Sequence, residues 1–231
     1  TNGKDEGDDY IYDLKGDADY LYITGMSKSE KMFATSKQHW STHSGDYDYF
    51  DAYGMALDHV LNQNMKRYGS YYGHEKDDWG TSVALINWYY PNSFLIAGGT
   101  KSHNLYAAGK IHENAERKYI NANDEVDGFV AFLDFPYIES NYPTYIGGSD
   151  YDRIFDIAVA DDESIYITGS TNGSNYPVYY GSSVSAGNLD IIASKFDSLG
   201  NLKFSSYYGH SSATAYSQAH AICEYNDYVY M

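Results

Sequence analysis

Apolar and polar residues alternate along many short stretches of the chain. The alternation is clear at Tyr53, Met55 and Leu57, and again around residue 165. A period of two residues is typical of β-strands with one face buried and the other in solvent. Turn-forming runs such as "ADDES" and "SLGN" separate these stretches, and no sustained helical period with end caps occurs. The pattern therefore predicts an all-β protein.

Three sequence markers recur in the same order along the chain. The first is the phrase "YYGHEKDD", "YIGGSDYD" and "YYGHSSAT", whose glycines Gly73, Gly147 and Gly209 are spaced 74 and 62 residues apart. The second consists of the endings "YLYITG", "FLIAG" and "IYITG". The third is a pair of aspartates with six residues between them, as in Asp51 and Asp58, which also occurs three times. Markers that keep one order indicate an internal repeat.

Each repeat contains four strand candidates, which in the third copy are "FDIAVA", "SIYITGS", "DIIASKFD" and "LKFSSYYG". Four antiparallel strands repeated around an axis form the blades of a β-propeller. The sequence therefore predicts a partial β-propeller of about three and a half repeats. The predicted units are residues 3–73, 74–147 and 148–209, with an incomplete unit at 210–231.

The third unit carries a specific resemblance. "YIGGSDYDRIFDIAVADDESIYITGSTNGSNYP" followed by "DIIASKFDSLGNLKFSSYYG" resembles the SBBP repeat, a β-propeller repeat of bacterial and archaeal surface proteins. The resemblance implies a propeller of nominally seven blades and a location outside the cell. It supplies no established catalytic residues.

Three and a half blades do not make a standard propeller ring. The open strand edges of a partial ring are an aggregation hazard unless something covers them. We therefore expect further repeats or a protein partner to cover the open blade edges, and we expect the parent protein to be longer than this chain.

The net charge of the chain limits the classes of molecule that it can bind. Fifteen Lys and Arg against 32 Asp and Glu give a net charge of −17, which repels phosphate backbones and argues against nucleic-acid binding. No apolar run approaches the length of a transmembrane helix. The one cysteine, Cys223, aligns near Val159 in the third unit, so we expect a buried, inert thiol.

The chain is rich in acidic residues that could bind a metal. Residues 123–134, "NDEVDGFVAFLD", superficially match an EF-hand loop, with Asn123, Glu125, Asp127, Gly128 and Asp134 at ligand positions, but the repeat predicts a strand there. The aspartates of the glycine phrases are the more plausible calcium ligands: Asp77, Asp78, Asp150 and Asp152. A third acidic cluster of the same kind contains Asp46, Asp48 and Asp51. The alternative is that these side chains cap turns and carry solvated charges.

The histidines and arginines give little indication of a metal site or a substrate-binding site. His74 and His210 follow the phrase glycine, but the equivalent position is Gly148, which cannot be a metal ligand. Arg67, Arg117 and Arg153 occupy non-equivalent places in the repeat, unlike an arginine cluster that grips a substrate carboxylate.

The sequence therefore favours an extracellular or cell-surface structural or adhesive module without catalysis. The alternative is a propeller hydrolase that acts on glycans, for which carboxylates from different blades would converge in a pocket. We expect ligands such as a cation, a glycan or a protein to bind where the long loops 26–50, 99–126 and 170–189 meet the acidic phrases near Asp8, Asp78 and Asp152. At equivalent depth in these loops, Phe33, Tyr106 and Pro177 are expected to pin each loop onto its blade.

Overall fold

The computed structural model describes residues 7–29, 48–58, 67–73, 75–86, 93–102, 125–133, 142–182, 188–209, 214–226 and 228–231. All regular secondary structure in these residues is β-strand. The strands are β1 (Asp9–Gly16), β2 (Tyr20–Ser27), β3 (Asp51–Asp58), β4 (Arg67–Tyr72), β5 (Asp78–Ile86), β6 (Ser93–Thr100), β7 (Asp127–Leu133), β8 (Tyr142–Ile146), β9 (Asp152–Val159), β10 (Ile165–Thr171), β11 (Asp190–Phe196), β12 (Leu202–Tyr208), β13 (Cys223–Tyr225) and β14 (Tyr228–Tyr230).

The strands form three four-stranded sheets and one hairpin. In each sheet, neighbours in sequence are antiparallel neighbours in space, giving the orders β1 to β4, β5 to β8 and β9 to β12. We call these sheets blade 1, blade 2 and blade 3, and the β13–β14 hairpin the fourth repeat. The predicted all-β class and the four-stranded antiparallel units are therefore confirmed. Within the described residues the sheets do not close into a ring.

The blades pack face to face through alternating apolar side chains. Between blades 1 and 2, Tyr22 and Phe94 lie with ring centroids 5.0 Å apart in a cluster with Phe129. Between blades 2 and 3, a second cluster contains Ile154 and Ile167, both fully buried. Each such side chain contributes roughly 1.5–3 kcal/mol through burial. Packing between blades therefore buries much of the apolar surface that stabilises the fold.

A carboxylate on the first strand of a blade reaches the next blade. In blade 1, Asp13 accepts a hydrogen bond from the backbone N–H of Val83, 2.9 Å away on β5. In blade 3, Asp156 accepts from the N–H of Ile222 at 2.7 Å. Ser82 on β5 donates from Oγ to Asp156 at 2.6 Å and contacts Asp13 at 3.0 Å. These bonds position each blade against its neighbour. The bond from Ile222 joins the residues next to the β13–β14 hairpin to blade 3 in the same way.

The predicted burial of Cys223 is wrong: the thiol is exposed. Its neighbour Ile222 is buried instead. The N–H of Ile222 donates to Asp156 in the same way that the N–H of Val83 donates to Asp13, so Ile222 is the equivalent of Val83. Cys223 is therefore one residue away from the register that we expected. A shift of one residue moves a strand side chain to the opposite face, which places the thiol in solvent.

Candidate functional site

Each blade carries a polar row at one end of its first three strands. The register pairs Asp9 with Ser27 and Ser27 with Asp51 in blade 1. The same pairing joins the equivalent residues of the other blades, which are Asp78, Thr100 and Asp127 in blade 2 and Asp152, Thr171 and Asp190 in blade 3. Carboxylates therefore recur at the same end of every blade, where strand 2 leads into strand 3 and one blade leads into the next, and all of them except Asp9 are buried.

Neighbouring blades bring two of these carboxylates together at the repeated glycine. We define the first junction as Gly73 with Asp51 and Asp78. A β-carbon on Gly73 would lie 2.2 Å from Asp51 Oδ1 and 2.6 Å from Asp78 Oδ2. Only a residue without a side chain fits between the two carboxylates, which explains the glycine of the repeated phrase.

Hydroxyl and amide donors surround Asp78 at the first junction. Its Oδ1 accepts from Thr100 Oγ1 at 2.5 Å, and its Oδ2 accepts from Ser102 Oγ at 2.7 Å. Ser102 Oγ also accepts from the backbone N–H of Lys76. Lys101 forms an ion pair with the adjacent Asp77, with 3.8 Å between Nζ and Oδ2. Both oxygens of this fully buried carboxylate therefore have hydrogen-bond donors.

The second junction consists of Gly147 with Asp127 and Asp152. A β-carbon on Gly147 would lie 2.5 Å from Asp127 Oδ1 and 3.0 Å from Asp152 Oδ2. The backbone repeats as well, since Asp152 N donates to Val126 O just as Asp78 N donates to Phe50 O. The second junction thus has the same frame as the first.

Asp152 has fewer donors than Asp78, although both side chains are 0% exposed. Its Oδ2 accepts from the N–H of Gly148 at 2.6 Å, but its Oδ1 is buried without a hydrogen-bond partner. Burial raises the pKa of Asp152 to about 7, while the Gly148 N–H and the Thr171 hydroxyl act to lower it. The negative charges of Asp150 and Glu125 raise this pKa further.

The missing donor follows from the residue at position 173. Tyr207 Oη donates to the carbonyl of Gly173 at 2.8 Å, as Tyr71 Oη donates to the carbonyl of Ser29 in blade 1. Gly173 therefore occupies the place of Ser29, whose hydroxyl donates to Asp9. Glycine has no hydroxyl to offer to Asp152.

The four predicted calcium ligands separate into two kinds of environment. Asp77 and Asp150 are partly exposed, whereas Asp78 and Asp152 are fully buried. The alternative that these side chains carry solvated charges is therefore wrong for Asp78 and Asp152, which hydrogen bonds within the blades hold inside, whereas Asp77 and Asp150 keep contact with solvent. Across the part of the chain that the structure describes, no three Asp, Glu, His or Cys side chains group as a metal site. The calcium assignment of the four residues remains a prediction.

Several sequence candidates are positioned elsewhere or lie outside the described residues. Asp127 begins strand β7, in agreement with the predicted strand and not with an EF-hand loop. Tyr176, which precedes Pro177, is buried with its ring centroid 6.1 Å from that of Tyr207. Arg153 stacks over Trp79. The candidates outside the described residues are Phe33, Asp46, His74, Tyr106, Arg117, Asn123, Asp134 and His210, together with the side chain of Arg67.

The hydroxyl residues of the polar rows were missed in the sequence. Ser27, Thr100 and Thr171 each lie two residues after the glycine of the second marker, so a signal was present. Serine and threonine are common in strands and turns, however, and only the strand register shows that these hydroxyls lie between two aspartates.

Comparison with known proteins gives one result at this site. Residues 141–177 match the family model SBBP, described as a beta-propeller repeat. This stretch is similar to the SBBP repeat. It includes strand β8, the glycine phrase of the second junction, and strands β9 and β10, so the resemblance stated above is confirmed here. No curated protein matches the chain significantly. Among the described residues, no helix is long and apolar enough to cross a membrane.

Proposed function

We propose that this chain is a structural or adhesive module of a secreted or cell-surface protein, built as a segment of a β-propeller and working without catalysis. The SBBP repeat supports the propeller architecture, because the three blades repeat one strand order and one type of junction. The net charge of −17 suits a surface that is exposed to salt and divalent cations.

The observation that carries the proposal is the different exposure of equivalent strands. Strand β5 of blade 2 and strand β9 of blade 3 bury many of their side chains against the preceding blade. The first strand of blade 1 has the same place in its sheet, but most of β1 is exposed. Its large apolar side chains are 45–61% exposed, namely Tyr10, Ile11, Tyr12 and Leu14.

Such a surface fits a protein partner. Internal blades cover the equivalent strand with another blade, so β1 offers a ready-made face for a further repeat or another protein. The fourth repeat exposes a second apolar surface, which includes Tyr225, Tyr228 and Tyr230. We propose that both surfaces are covered in the assembled protein, and that the module extends or links larger structures.

Burial of the carboxylate pairs favours this role over glycan hydrolysis. A retaining or inverting glycosidase needs two carboxyl groups on either side of an accessible sugar. The pairs at the two junctions come from different blades, but their members are at most 6% exposed. A polysaccharide chain has no access to side chains that are held in this way.

Protease treatment of intact producing cells tests the location. Exposed residues such as Leu199, 77% exposed in the β11–β12 turn, should be cleaved by a protease that does not enter cells. The expected result is loss of the protein while an internal marker remains intact. Survival of the protein until the cells are lysed would contradict a surface role.

A paired substitution tests the partner surface. Replacing Ile11 and Leu14 with aspartate should weaken the association of β1 with whatever covers it, seen as dissociation of the native assembly on sedimentation. Asp161→Asn, at an exposed turn of blade 3, is the control and should leave the assembly unchanged. Equal sedimentation of both variants and the wild type would mean that β1 is not an interface.

A further inference from the structure

The two junctions share a backbone frame but differ in the groups that balance their buried carboxylates. Equivalent hydrogen bonds fix the alignment: Lys101 N donates to Asp77 O, and Asn172 N donates to Tyr151 O. Asn172 therefore replaces Lys101, and Asp150, one residue before Tyr151, replaces Lys76. The second junction has therefore lost two lysines, while the number of aspartates is unchanged because Tyr151 stands in the place of Asp77.

The hydroxyl donor is lost at the same junction. Gly173 stands where blade 2 has Ser102, whose Oγ donates to Asp78. A β-carbon on Gly173 would make one close contact, 3.3 Å from Thr171 Oγ1, so a serine fits there with a small shift of that side chain. The nearest atoms belong to Thr171, Asn175 and Asp150. The surroundings of position 173 are therefore polar.

The carboxylates at this junction are nevertheless retained. Asp152 is fully buried and its Oδ1 has no hydrogen-bond partner. Asp127 and Asp152 approach each other across Gly147, and Asp150 and Glu125 add negative charge nearby. Neither Asp150 nor Asp152 forms an ion pair with any lysine or arginine that the structure describes. An uncompensated buried charge of this kind is strongly unfavourable.

We propose that the second junction binds a calcium ion through the carboxylates of Asp127 and Asp152, where it supplies a positive charge beside the buried Asp152 oxygen that has no hydrogen-bond partner. Calcium prefers carboxylate and carbonyl oxygens and accepts irregular geometry with bound water, so two carboxylates suffice as its charged ligands. The ion would join blade 2, which supplies Asp127, to blade 3, which supplies Asp152. This site goes beyond the proposed surface role and does not depend on it.

Thermal unfolding with and without calcium tests the site. In about 1 mM Ca²⁺, a concentration at which extracellular calcium modules are occupied, the melting temperature should lie about 5 °C above its value in EDTA. Asp152→Asn should lose this difference. Asp161→Asn removes one charge from an exposed turn and is the control, so it should keep the full difference.

Two further measurements make the test independent of folding defects. Gly173→Ser introduces the hydroxyl of the first junction, so it should remain folded and respond less to calcium than the wild type. Terbium luminescence should be sensitised by the nearby Tyr176 and Tyr207, displaced by Ca²⁺, and lost in Asp152→Asn. Equal melting temperatures of the wild type in Ca²⁺ and EDTA would overturn the proposal, as would an unchanged calcium response in Asp152→Asn. Either failure would leave the surface role and its protease test unaffected.

Discussion

The first and second junctions place two carboxylates around a glycine in the same backbone frame, yet they stabilise them differently. At the first junction, Thr100 and Ser102 donate to Asp78. At the second junction, Asp152 receives the Gly148 N–H and the Thr171 hydroxyl, but it has no counterpart of Ser102 and keeps a buried oxygen atom without a partner. The comparison teaches that the glycine and the aspartates define the junction, while the residues around them decide how the buried charge is balanced.

Replacing the junction glycines Gly73 and Gly147 with alanine should lower the free energy of unfolding the most. Gly73→Ala would place a β-carbon 2.2 Å from Asp51 Oδ1, and Gly147→Ala would place one 2.5 Å from Asp127 Oδ1. We expect losses in the free energy of unfolding of about 3 and about 2 kcal/mol, in that order, because overpacking forces both carboxylates to move. Urea denaturation measures both losses. Unchanged stability would show that the carboxylates are not held against the glycine.

Replacing Asp78 and Asp152 with asparagine should change the free energy of unfolding in opposite directions. Asp78→Asn should cost about 2 kcal/mol, because its carboxylate accepts from several donors. In EDTA at pH 8, above the pKa of about 7 of Asp152, Asp152→Asn should be neutral or should stabilise by about 1 kcal/mol. Chemical denaturation of the two variants compares them directly. Equal losses would mean that the two carboxylates have equivalent surroundings.

Exchanging serine and glycine between positions 102 and 173 should change the free energy of unfolding less, but again with opposite signs at the two junctions. Ser102→Gly removes the donor to Asp78 Oδ2, so it should cost about 1 kcal/mol. Gly173→Ser should raise the free energy of unfolding in EDTA by about 0.5 kcal/mol, since it adds a donor near Asp152. Differential scanning calorimetry in EDTA resolves both signs. A destabilised Gly173→Ser would show that position 173 has no room for the hydroxyl.

A substitution at the other end of blade 3, where β11 turns into β12, should have the smallest effect on the free energy of unfolding. Asp197 caps the turn into β12 by accepting from the N–H groups of Leu199 and Asn201. Although partial burial acts to raise its pKa, the bonds from Asn201 and Lys203 and from these N–H groups lower it to about 2. A depressed carboxyl pKa gives stability that is present above the unfolded value near 3.8 and is lost as the pH falls toward 2. Asp197→Asn should cost about 0.5 kcal/mol at pH 7, and this difference should shrink below pH 3.8 in acid titrations followed by circular dichroism.

Much of the architecture could be predicted from the sequence because it depends on local patterns. The two-residue alternation predicts the strands, and the repeated glycine phrase predicts where one blade leads to the next. Burial of Asp78 and Asp152 could not be predicted in this way, because an aspartate after a turn is usually solvated. The strand register, which no local pattern sets, brings hydroxyls of a neighbouring strand to these side chains.

Register also explains the wrong expectation for Cys223. Its neighbour Ile222 takes the buried position of Ile157, and alternation then places the thiol in solvent. An alignment error of one residue is invisible in sequence markers that are only a few residues long. It reverses the face of every side chain in the strand.

We infer that residues 101–102 and 172–173 decide how each junction balances its buried carboxylates. A reciprocal exchange tests it most directly, with K101N/S102G at the first junction and N172K/G173S at the second. The measurement is the urea midpoint of unfolding of each variant in Ca²⁺ and in EDTA. We expect that the midpoint of N172K/G173S no longer depends on calcium. The midpoint of K101N/S102G should fall in EDTA and should depend on calcium more than that of the wild type does. The same calcium dependence in the wild type and both variants would contradict it.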